Sequence, residues 1–323
     1  MATGSCGPQP DARVVSPPII GVVGPTASGK SDLALALATR LPVEILVADS
    51  RQVVRGMDVG TAAPDAAARA AVPHHLLDVV EPDEPFTVAD WVQRARVLVA
   101  EIAARGRIPM LVGGSGLYVE ALVEGHEYAA DSRSPDLRAQ LTERLTTEGL
   151  DPLAEELAAL DPDAGAVTDL RNPRRVIRAL ERATLAGGPV RPMRQPYPGR
   201  VALVAPSRPR ATLYRRIDER ARAMFTTGGQ LDEVRALHAR GFGAELRPMT
   251  GHGYREAAAV LAGAMDVEAA IEQTARGTRQ YAKRQLSWFG RMTRVMWLPV
   301  GERAADDPAV VAQAERVLRA GIS

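Results

Sequence analysis

The chain has 323 residues, of which 46% are hydrophobic and 24% charged, a composition typical of a globular protein with a sizeable core and about two domains. No apolar run approaches the roughly 18–20 residues of a membrane-spanning helix. The first sixteen residues lack a secretory-signal pattern and are expected to form a disordered tail of a cytoplasmic protein. The single cysteine, Cys6, excludes a disulfide framework, and the net charge of +1 argues by itself against a nucleic-acid partner.

The N-terminal segment predicts a βαβ unit. Pro18–Gly24 is a β-branched run typical of a buried strand, and Val43–Ala48 is a second one. Between them Ser31–Leu41 has the composition of a helix, which Pro42 ends. Since a strand, a helix and a strand in about thirty residues form a parallel pair, we expect an α/β fold with a parallel sheet flanked by helices.

The rest of the chain predicts more strands, separated by a helical insertion. Val88–Arg105 has helical spacing and leads into a third strand, Ile108–Val112. Further on we predict strands at Arg200–Val204 and Arg294–Leu298, helices at Asp136–Glu148, Pro152–Leu160 and Pro173–Ala186, and a mostly helical segment over 213–294. The predicted core is therefore residues 17–125 and 200–323, and the predicted helical insertion is 126–199.

Residues 24–31 form a candidate phosphate loop. They read GPTASGKS and match G-x-x-x-x-G-K-[ST] between a predicted strand and a predicted helix, so the fold should be P-loop NTPase-like. The backbone N–H groups of such a loop point at phosphate oxygens, Lys30 adds a charge, and the Ser31 hydroxyl can join a Mg²⁺ shell. The candidate diphosphate-binding residues are Gly24, Pro25, Thr26, Ala27, Ser28, Gly29, Lys30 and Ser31.

Two polar residues follow neighbouring predicted strands. Asp49 ends the second strand and Ser115 lies in the GGSGLY segment after the third. Since the carboxyl ends of parallel strands line the ligand crevice, both are expected beside the phosphate loop. From geometry alone Asp49 remains open between a Mg²⁺ ligand or helix cap and a general base.

Two stretches are basic although the chain is nearly neutral. Arg171–Arg182 has five arginines and one acid, and Arg276–Arg294 has six basic residues and no acid. Such runs are usually solvated helix faces, and Tyr281 and Trp288 are expected in the core, but the missing acids favour phosphate contact. The net charge near zero is thus an average over acidic and basic segments. This distribution predicts selective, salt-sensitive binding of one nucleic acid.

Two further pairs of residues are not assigned to the site. His74 and His75 are adjacent on an extended segment, so their side chains point to opposite sides and do not predict a shared metal ion. Arg216 and Arg220 could add charge near a diphosphate, but we interpret them as exposed helix arginines.

These segments resemble the bacterial tRNA dimethylallyltransferases, also called isopentenyl-diphosphate:tRNA isopentenyltransferases. The similarity runs from about Ile19 to Leu298, and its strongest part is the pairing of the Asp49 segment with the late Thr-Arg-Gln…Lys-Arg-Gln segment. The matching motifs are GPTASGKS at 24–31, DSRQVVRGMDVGTAAP at 49–64, PHHLLDVVEPDEPFTVADW at 73–91, GRIPMLVGGSGLYVEAL at 106–122, NPRRVIRALE at 172–181 and TRQYAKRQLSWF at 278–289.

The resemblance implies an activity and residue roles. The family transfers a dimethylallyl group from dimethylallyl diphosphate to N6 of adenine 37 of tRNA, beside the anticodon, and releases diphosphate. By resemblance the catalytic residues are Asp49 as the base, Ser115, where many relatives have Thr, as its orienting group, and Lys30, with Mg²⁺ bridging the diphosphate. The implied contacts with the anticodon stem-loop are Asp49, Ser50, Arg51, Gln52, Ser115, Arg138, Arg174, Arg175, Arg178, His252 and Arg255, and a monomer is expected.

Three departures from the family pattern and three alternative functions remain. Val54 stands where relatives commonly have Tyr, Ala63 where they have Lys, and Arg171 where they have Asn, which leaves tRNA affinity and local packing open. The alternatives are a small-molecule or nucleoside kinase, an isopentenyltransferase acting on free adenylate, and a nucleotide-dependent RNA-binding switch. The helical insertion and the basic late segment favour the tRNA-modifying enzyme.

Overall fold

The strands form one parallel sheet, as the sequence predicts. In the computed structural model, which describes residues 16–125, 134–190 and 194–323, the sheet has six strands in the order β3-β2-β4-β1-β5-β6. The strands are β1 (Ile19–Val23), β2 (Val43–Val47), β3 (His74–His75), β4 (Ile108–Gly113), β5 (Val201–Ser207) and β6 (Val295–Pro299). Cys6 and the predicted tail up to residue 15 lie outside the described residues.

Helices make up most of the remaining described chain. They are α1 (Lys30–Ala38), α2 (Ala66–Ala71), α3 (Val88–Ala104), α4 (Gly116–Val123), α5 (Pro135–Glu148), α6 (Asp151–Leu160), α7 (Pro162–Val167), α8 (Pro173–Ala186), α9 (Arg210–Thr226), α10 (Gln230–Ala239), α11 (Tyr254–Leu261), α12 (Val267–Phe289) and α13 (Pro308–Ile322), with a 3₁₀ turn at Arg247–Thr250. None of the helices described is long and apolar enough to cross a bilayer.

Alternate residues of each strand face opposite layers of helices. Ile20 and Val22 of β1 pack in a cluster with side chains of α1 and α13, whereas Ile19 and Val23 pack in a cluster with side chains of α3, α4 and α10–α12. Because both faces of the sheet are covered, the strands are almost wholly apolar, which made them recognisable in the sequence.

The predicted and observed boundaries differ where local chemistry ends an element. Helix α1 ends at Ala38 instead of Leu41, because the residue before Pro42 is disfavoured in the helical region. The N–H groups of Arg40 and Leu41 instead close a turn on the Leu37 carbonyl, both at 2.9 Å. The two-residue strand β3 and helix α13 were not assigned from the sequence.

The chain divides into two compact units, each with its own core. One comprises the described residues up to Val123 together with Tyr197–Ser323, and the other is Glu124–Pro196, close to the predicted insertion at 126–199. The smaller unit contains α5–α8, and its core is formed by Leu141, Leu153, Leu157, Val176, Ile177, Leu180 and Ala183. Helices α5 and α8 begin at a Pro behind a Ser or Asn cap, which explains why their starts were predictable, whereas α7, which begins in the same way behind Asp161, was not assigned from the sequence.

A buried carboxylate joins three elements at the amino end of the sheet. Glu44 on β2 is only 6% exposed, and its carboxylate accepts hydrogen bonds from the Arg105 guanidinium after α3, at 2.7 and 3.1 Å. Nε2 of His75 on β3 lies 2.7 Å from the same carboxylate. These hydrogen bonds, above all those from Arg105, lower the pKa of Glu44 to about 2.

We expect the Glu44→Gln variant to lose about 2 kcal/mol of unfolding free energy at neutral pH, because the charge paired with Arg105 is removed. Since the folded-state pKa lies below the unfolded value, this stabilisation is present above the unfolded pKa and is lost as the pH falls through the folded pKa. The difference between wild type and variant in urea denaturation should therefore shrink toward about pH 3. Glu272→Gln, at an exposed position of α12, is the control, and a pH-independent difference would contradict the assignment.

Candidate active site

The phosphate loop connects β1 to α1 and has the backbone geometry of an anion site. Gly24 and Gly29 have φ angles of +130° and +92°, which lie in the left-handed region that favours glycine. In the described structure no side chain caps the first turn of α1, so its positive end stays available to an anion. This is the backbone geometry that an anion site requires, and phosphate binding by the loop stays a prediction.

Two arginines in the middle of α9 hold the loop from one side. The Arg216 guanidinium donates to the Ala27 carbonyl at 3.0 Å, and Arg220 donates to the Thr26 hydroxyl at 3.2 Å. Both side chains line the cavity beside the loop. The interpretation of Arg216 and Arg220 as exposed helix arginines is therefore wrong, because α9 packs its arginine face against the loop.

The turn before α13 supports the back of the loop. Arg208 Nε donates to the Ser28 carbonyl at 2.8 Å. Its Nη1 donates to the carbonyls of Gly301 and Arg303 at 2.9 and 2.8 Å. A Cβ added at Gly29 would lie 2.5 Å from the Cβ of Ala305. No sequence pattern indicated this contact, because it joins segments more than 250 residues apart.

One cavity of about 900 Å³ brings the loop and the strand ends together. The predicted site residues that line it are Thr26, Ala27, Gly29, Lys30, Ser31, Asp49, Ser50, Arg51, Gln52 and His252. Helix α12 adds Tyr281, Arg284 and Gln285. The expectation that Asp49 and the phosphate loop face the same site agrees with this arrangement.

The cavity holds several basic side chains away from water. Burial is the main reason why the pKa of Lys30 falls to about 8, and the nearby Arg220 lowers it further while Asp49 opposes the shift. Burial also lowers the pKa values of Arg51 and Arg220. Cations held under these conditions are stabilised when a polyanion enters the cavity.

The segment after Asp49 is fixed by short hydrogen bonds. Asp49 Oδ1 accepts the Arg51 N–H at 2.9 Å, and Ser115 Oγ accepts the Ser50 N–H at 2.8 Å. The residues that follow Asp49 form turns rather than a helix, so Asp49 is not a helix cap. Ser115, which is 7% exposed, orients the backbone beside Asp49.

Other predicted tRNA contacts also make hydrogen bonds within the protein. Arg51 donates to the carbonyls of Arg247 and Pro248 at 3.0 and 2.6 Å, and the Gln52 amide donates to the Thr61 and Ala62 carbonyls, both at 3.1 Å. His252 lies so close to Gly277 that a Cβ there would be 2.4 Å from its Nδ1. Burial lowers the pKa of His252.

Arg255 is the last of the predicted tRNA contacts in the larger unit. Its guanidinium donates to the Glu256 carboxylate at 2.5 and 3.2 Å, and its side chain is 64% exposed. Arg255 is therefore a surface residue that remains accessible to a partner.

The predicted arginines of the smaller unit fall into two pairs. Arg138 and Arg178 both pair with the buried Glu181, Arg178 at 3.0 Å, so they tie α5 to α8. Arg174 and Arg175 are exposed on α8, where Arg175 lies 4.0 Å from Asp169. The second pair is thus accessible to a partner.

The aromatic residues of α12 divide between core and site. Tyr281 lines the cavity, so its expected place in the core is wrong, and Trp288 packs against Gly116 but is only half-buried. Burial and the Asp49 carboxylate raise the pKa of Tyr281 to about 12. Their spacing of seven residues gave both the same helical phase, and could not reveal that a cavity opens beside only one of them.

Comparisons with known proteins agree on one family. The sequence model of the family described as IPP transferase matches residues 52–292. The tRNA dimethylallyltransferase of Roseiflexus castenholzii is 42% identical over 304 residues, which cover 94% of this chain and 97% of that protein. The tRNA dimethylallyltransferase of Anaeromyxobacter dehalogenans is 48% identical over 288 residues, with coverage of 87% and 94%.

Solved structures share the fold over nearly the whole chain. The tRNA isopentenylpyrophosphate transferase of Bacillus halodurans superposes with a TM-score of 0.70 at 36% identity and covers 95% of this chain and 97% of its own. A eukaryotic dimethylallyltransferase acting on tRNA has a TM-score of 0.76 at 22% identity, with coverage of 94% and 78%, and it supports the fold alone.

The lowered pKa of Lys30 predicts that affinity for diphosphate falls as the pH rises through about 8, where the free enzyme loses the Lys30 proton. Bound diphosphate raises that pKa again, so the loss should approach tenfold per pH unit until the pKa of the complex is reached. Titration calorimetry measures the affinity for inorganic diphosphate at each pH. Lys30→Arg is the control because arginine keeps its charge over this range. An identical pH dependence in both proteins would show that Lys30 does not titrate there.

Proposed function

The chain belongs to the IPP transferase family, and we propose that it transfers a dimethylallyl group from dimethylallyl diphosphate to N6 of adenine 37 of tRNA, releasing diphosphate. The observation that carries the proposal is that Lys30 of the phosphate loop and the Asp49 carboxylate line one desolvated cavity. A diphosphate bound to the loop would thus leave its organic end near a carboxylate. The named relatives support transfer of a dimethylallyl group and not the phosphoryl transfer of the alternative kinase.

Asp49 acts in this proposal as the general base. The exocyclic amine of adenine is a poor nucleophile because its lone pair is delocalised into the ring. As N6 forms its bond to C1 of the dimethylallyl group, its proton passes to the Asp49 carboxylate, and the C1–O bond breaks with its electrons on the diphosphate. The Ser115 and Arg51 hydrogen bonds described above support this role by fixing the backbone on which Asp49 is mounted.

The phosphate loop stabilises the leaving group. An allylic carbon ionises readily, so the main requirement is to stabilise the negative charge that collects on the diphosphate. Lys30, the N–H groups at the start of α1 and Arg220 at the cavity wall supply that stabilisation. Because these groups are desolvated before the ligand binds, they need little reorganisation during the reaction.

Mg²⁺ is the cofactor that we propose. The Ser31 hydroxyl lines the cavity and is a hard oxygen donor of the kind that Mg²⁺ prefers. The described residues contain no group of three metal-binding side chains, which fits an ion held chiefly by the diphosphate and water. When bound, Mg²⁺ would neutralise charge on the leaving diphosphate.

The tRNA contacts are also part of the proposal. Adenine 37 must leave its stack to enter the cavity, which costs a few kcal/mol and requires contacts with its neighbours in the anticodon stem-loop. We assign those contacts to Asp49, Ser50, Arg51, Gln52, Ser115, Arg138, Arg174, Arg175, Arg178, His252 and Arg255. We further propose that the enzyme is cytoplasmic and acts as a monomer.

The activity is tested with labelled dimethylallyl diphosphate, Mg²⁺ and bulk tRNA, with labelled ATP as a parallel donor. Label should enter tRNA from the prenyl donor, and Asp49→Asn should reduce that rate by about 10²–10⁴-fold while inorganic diphosphate still binds. Asp83→Asn, at an exposed position, is the matched control. Phosphorylated product from ATP would support the kinase instead, and a near wild-type rate in Asp49→Asn would refute the base assignment.

The role of the smaller unit is tested by replacing Arg174 and Arg175 with Ala. If these exposed arginines bind phosphates of the tRNA, its binding should weaken and the slope of log K against log salt should become less steep by about one for each phosphate that is no longer neutralised. Filter binding at several salt concentrations measures both. A double variant of the exposed Arg96 and Arg316 removes the same charge elsewhere, and equal slopes in the two double variants would exclude α8 as a tRNA contact.

A further inference from the structure

Gln285 on α12 connects two loops of the candidate active site. Its side-chain oxygen accepts the Thr26 N–H of the phosphate loop at 2.9 Å, and its side-chain nitrogen donates to the Gly114 carbonyl at 2.8 Å. The residue is 5% exposed, so both hydrogen bonds are shielded from water. The two partners lie 259 and 171 positions away from Gln285 in the sequence.

The chemistry of the two partners allows one orientation of the Gln285 amide. Thr26 offers a donor and Gly114 an acceptor, so the oxygen must face the first and the nitrogen the second. A glutamate or an apolar side chain of the same size cannot make both bonds. Glutamine is therefore the residue type that this position requires.

Close packing allows little freedom at this point. A Cβ added at Gly114 would lie 2.3 Å from the Gln285 side-chain nitrogen and 3.2 Å from the Gly24 carbonyl. The β1–β4 register ends at the pair Val23 and Gly113, and beyond that pair Gln285 links the phosphate loop to the turn after β4. The glycine at 114 thus serves the approach of this amide.

From Gly114 the connection continues to the carboxylate. Ser115 follows Gly114, its N–H donates to the Ala48 carbonyl at 3.0 Å, and its hydroxyl oxygen accepts the Ser50 N–H at 2.8 Å. Asp49 lies between Ala48 and Ser50 in the chain. A displacement of the turn after β4 would therefore move Asp49 relative to the phosphate loop.

We propose that Gln285 is a positioning residue that sets the distance between the diphosphate bound to the loop and the Asp49 carboxylate. This inference rests on the proposed function, because a fixed distance matters most where a leaving group and a base act on one bond-forming step. Gln285 contacts neither reacting group in this role. Loss of Gln285 should lower the transfer rate more than it lowers the affinity for either substrate, since misplacement by about 1 Å can cost 10²-fold in rate.

The test compares Gln285→Glu and Gln285→Met with wild type in single-turnover transfer to tRNA. Gln285→Met should reduce the rate by about 10–100-fold at every pH while the dissociation constants of an unreactive dimethylallyl diphosphate analogue and of tRNA change by no more than about threefold. Gln273→Met, at an exposed position earlier on α12, is the matched control.

The glutamate variant supplies a readout that a merely structural role would not move. A carboxylate at 285 can accept the Thr26 N–H but cannot donate to the Gly114 carbonyl, whereas the protonated acid can do both. The ratio of variant to wild-type rate should therefore rise as the pH falls. The other charged and titratable groups that line its cavity are present in both proteins, so their own titrations cancel in the ratio. They are Lys30 and Asp32 of α1, Asp49 and Arg51 after β2, Asp65 before α2, His74 of β3, Arg216, Glu219 and Arg220 of α9, His252 and Tyr254 at the start of α11, and Tyr281 and Arg284 of α12.

Each outcome decides the matter. A rate loss with retained affinities and a pH-dependent ratio supports the positioning role. Rates within about threefold of wild type, a ratio that is flat with pH, or affinities that fall as much as the rate would overturn it. Failure of the wild type to label tRNA would refute the proposed function instead. In that case hydrogen exchange still tests the Gln285–Thr26 hydrogen bond: the Thr26 amide should exchange faster in Gln285→Met than in wild type, and unchanged exchange would overturn the bond.

Discussion

Strand β4 lies between β1 and β2, and its backbone hydrogen bonds fix where the phosphate loop and Asp49 stand relative to each other. Val23 of β1 is in register with Gly113, and Val47 of β2 with Val112, so the three strands end at the same level. A Cβ at Gly113 would lie 2.1 Å from the Ala48 carbonyl oxygen, which only glycine avoids. The close junction of these strand ends is the frame on which the whole cavity is built.

The charge distribution follows from that frame. The chain as a whole carries a net charge of +1, and Lys30, Arg51 and Arg220 line one cavity together with the carboxylates of Asp32 and Asp49. Their lowered pKa values show that burial, more than mutual repulsion, makes these cations costly in the free protein. A multiply charged ligand removes this cost when it binds. The buried cations therefore lower the stability of the free protein at the place where a bound ligand raises it again.

Sequence patterns predicted the parts of the site that are local. The phosphate loop is one continuous motif, and Asp49 follows a strand whose apolar composition marks its end, so both could be placed from the residues alone. Arg208, Arg216, Arg220 and Gln285 could not, because their partners lie about 170 to 260 residues away and periodicity describes one element at a time. For Arg216 and Arg220 the four-residue spacing indicated a shared helix face but not whether that face meets solvent or the loop.

The Arg208 bridge has a consequence for the order in which the site is made. The phosphate loop is synthesised well before the segment whose Gly301 and Arg303 carbonyls hold Arg208 behind it. A nascent chain can form the β1–β4 pairing and still lack the support beneath Ser28 and Gly29. The loop therefore reaches its native backing only after the segment that contains Gly301 and Arg303 has been synthesised.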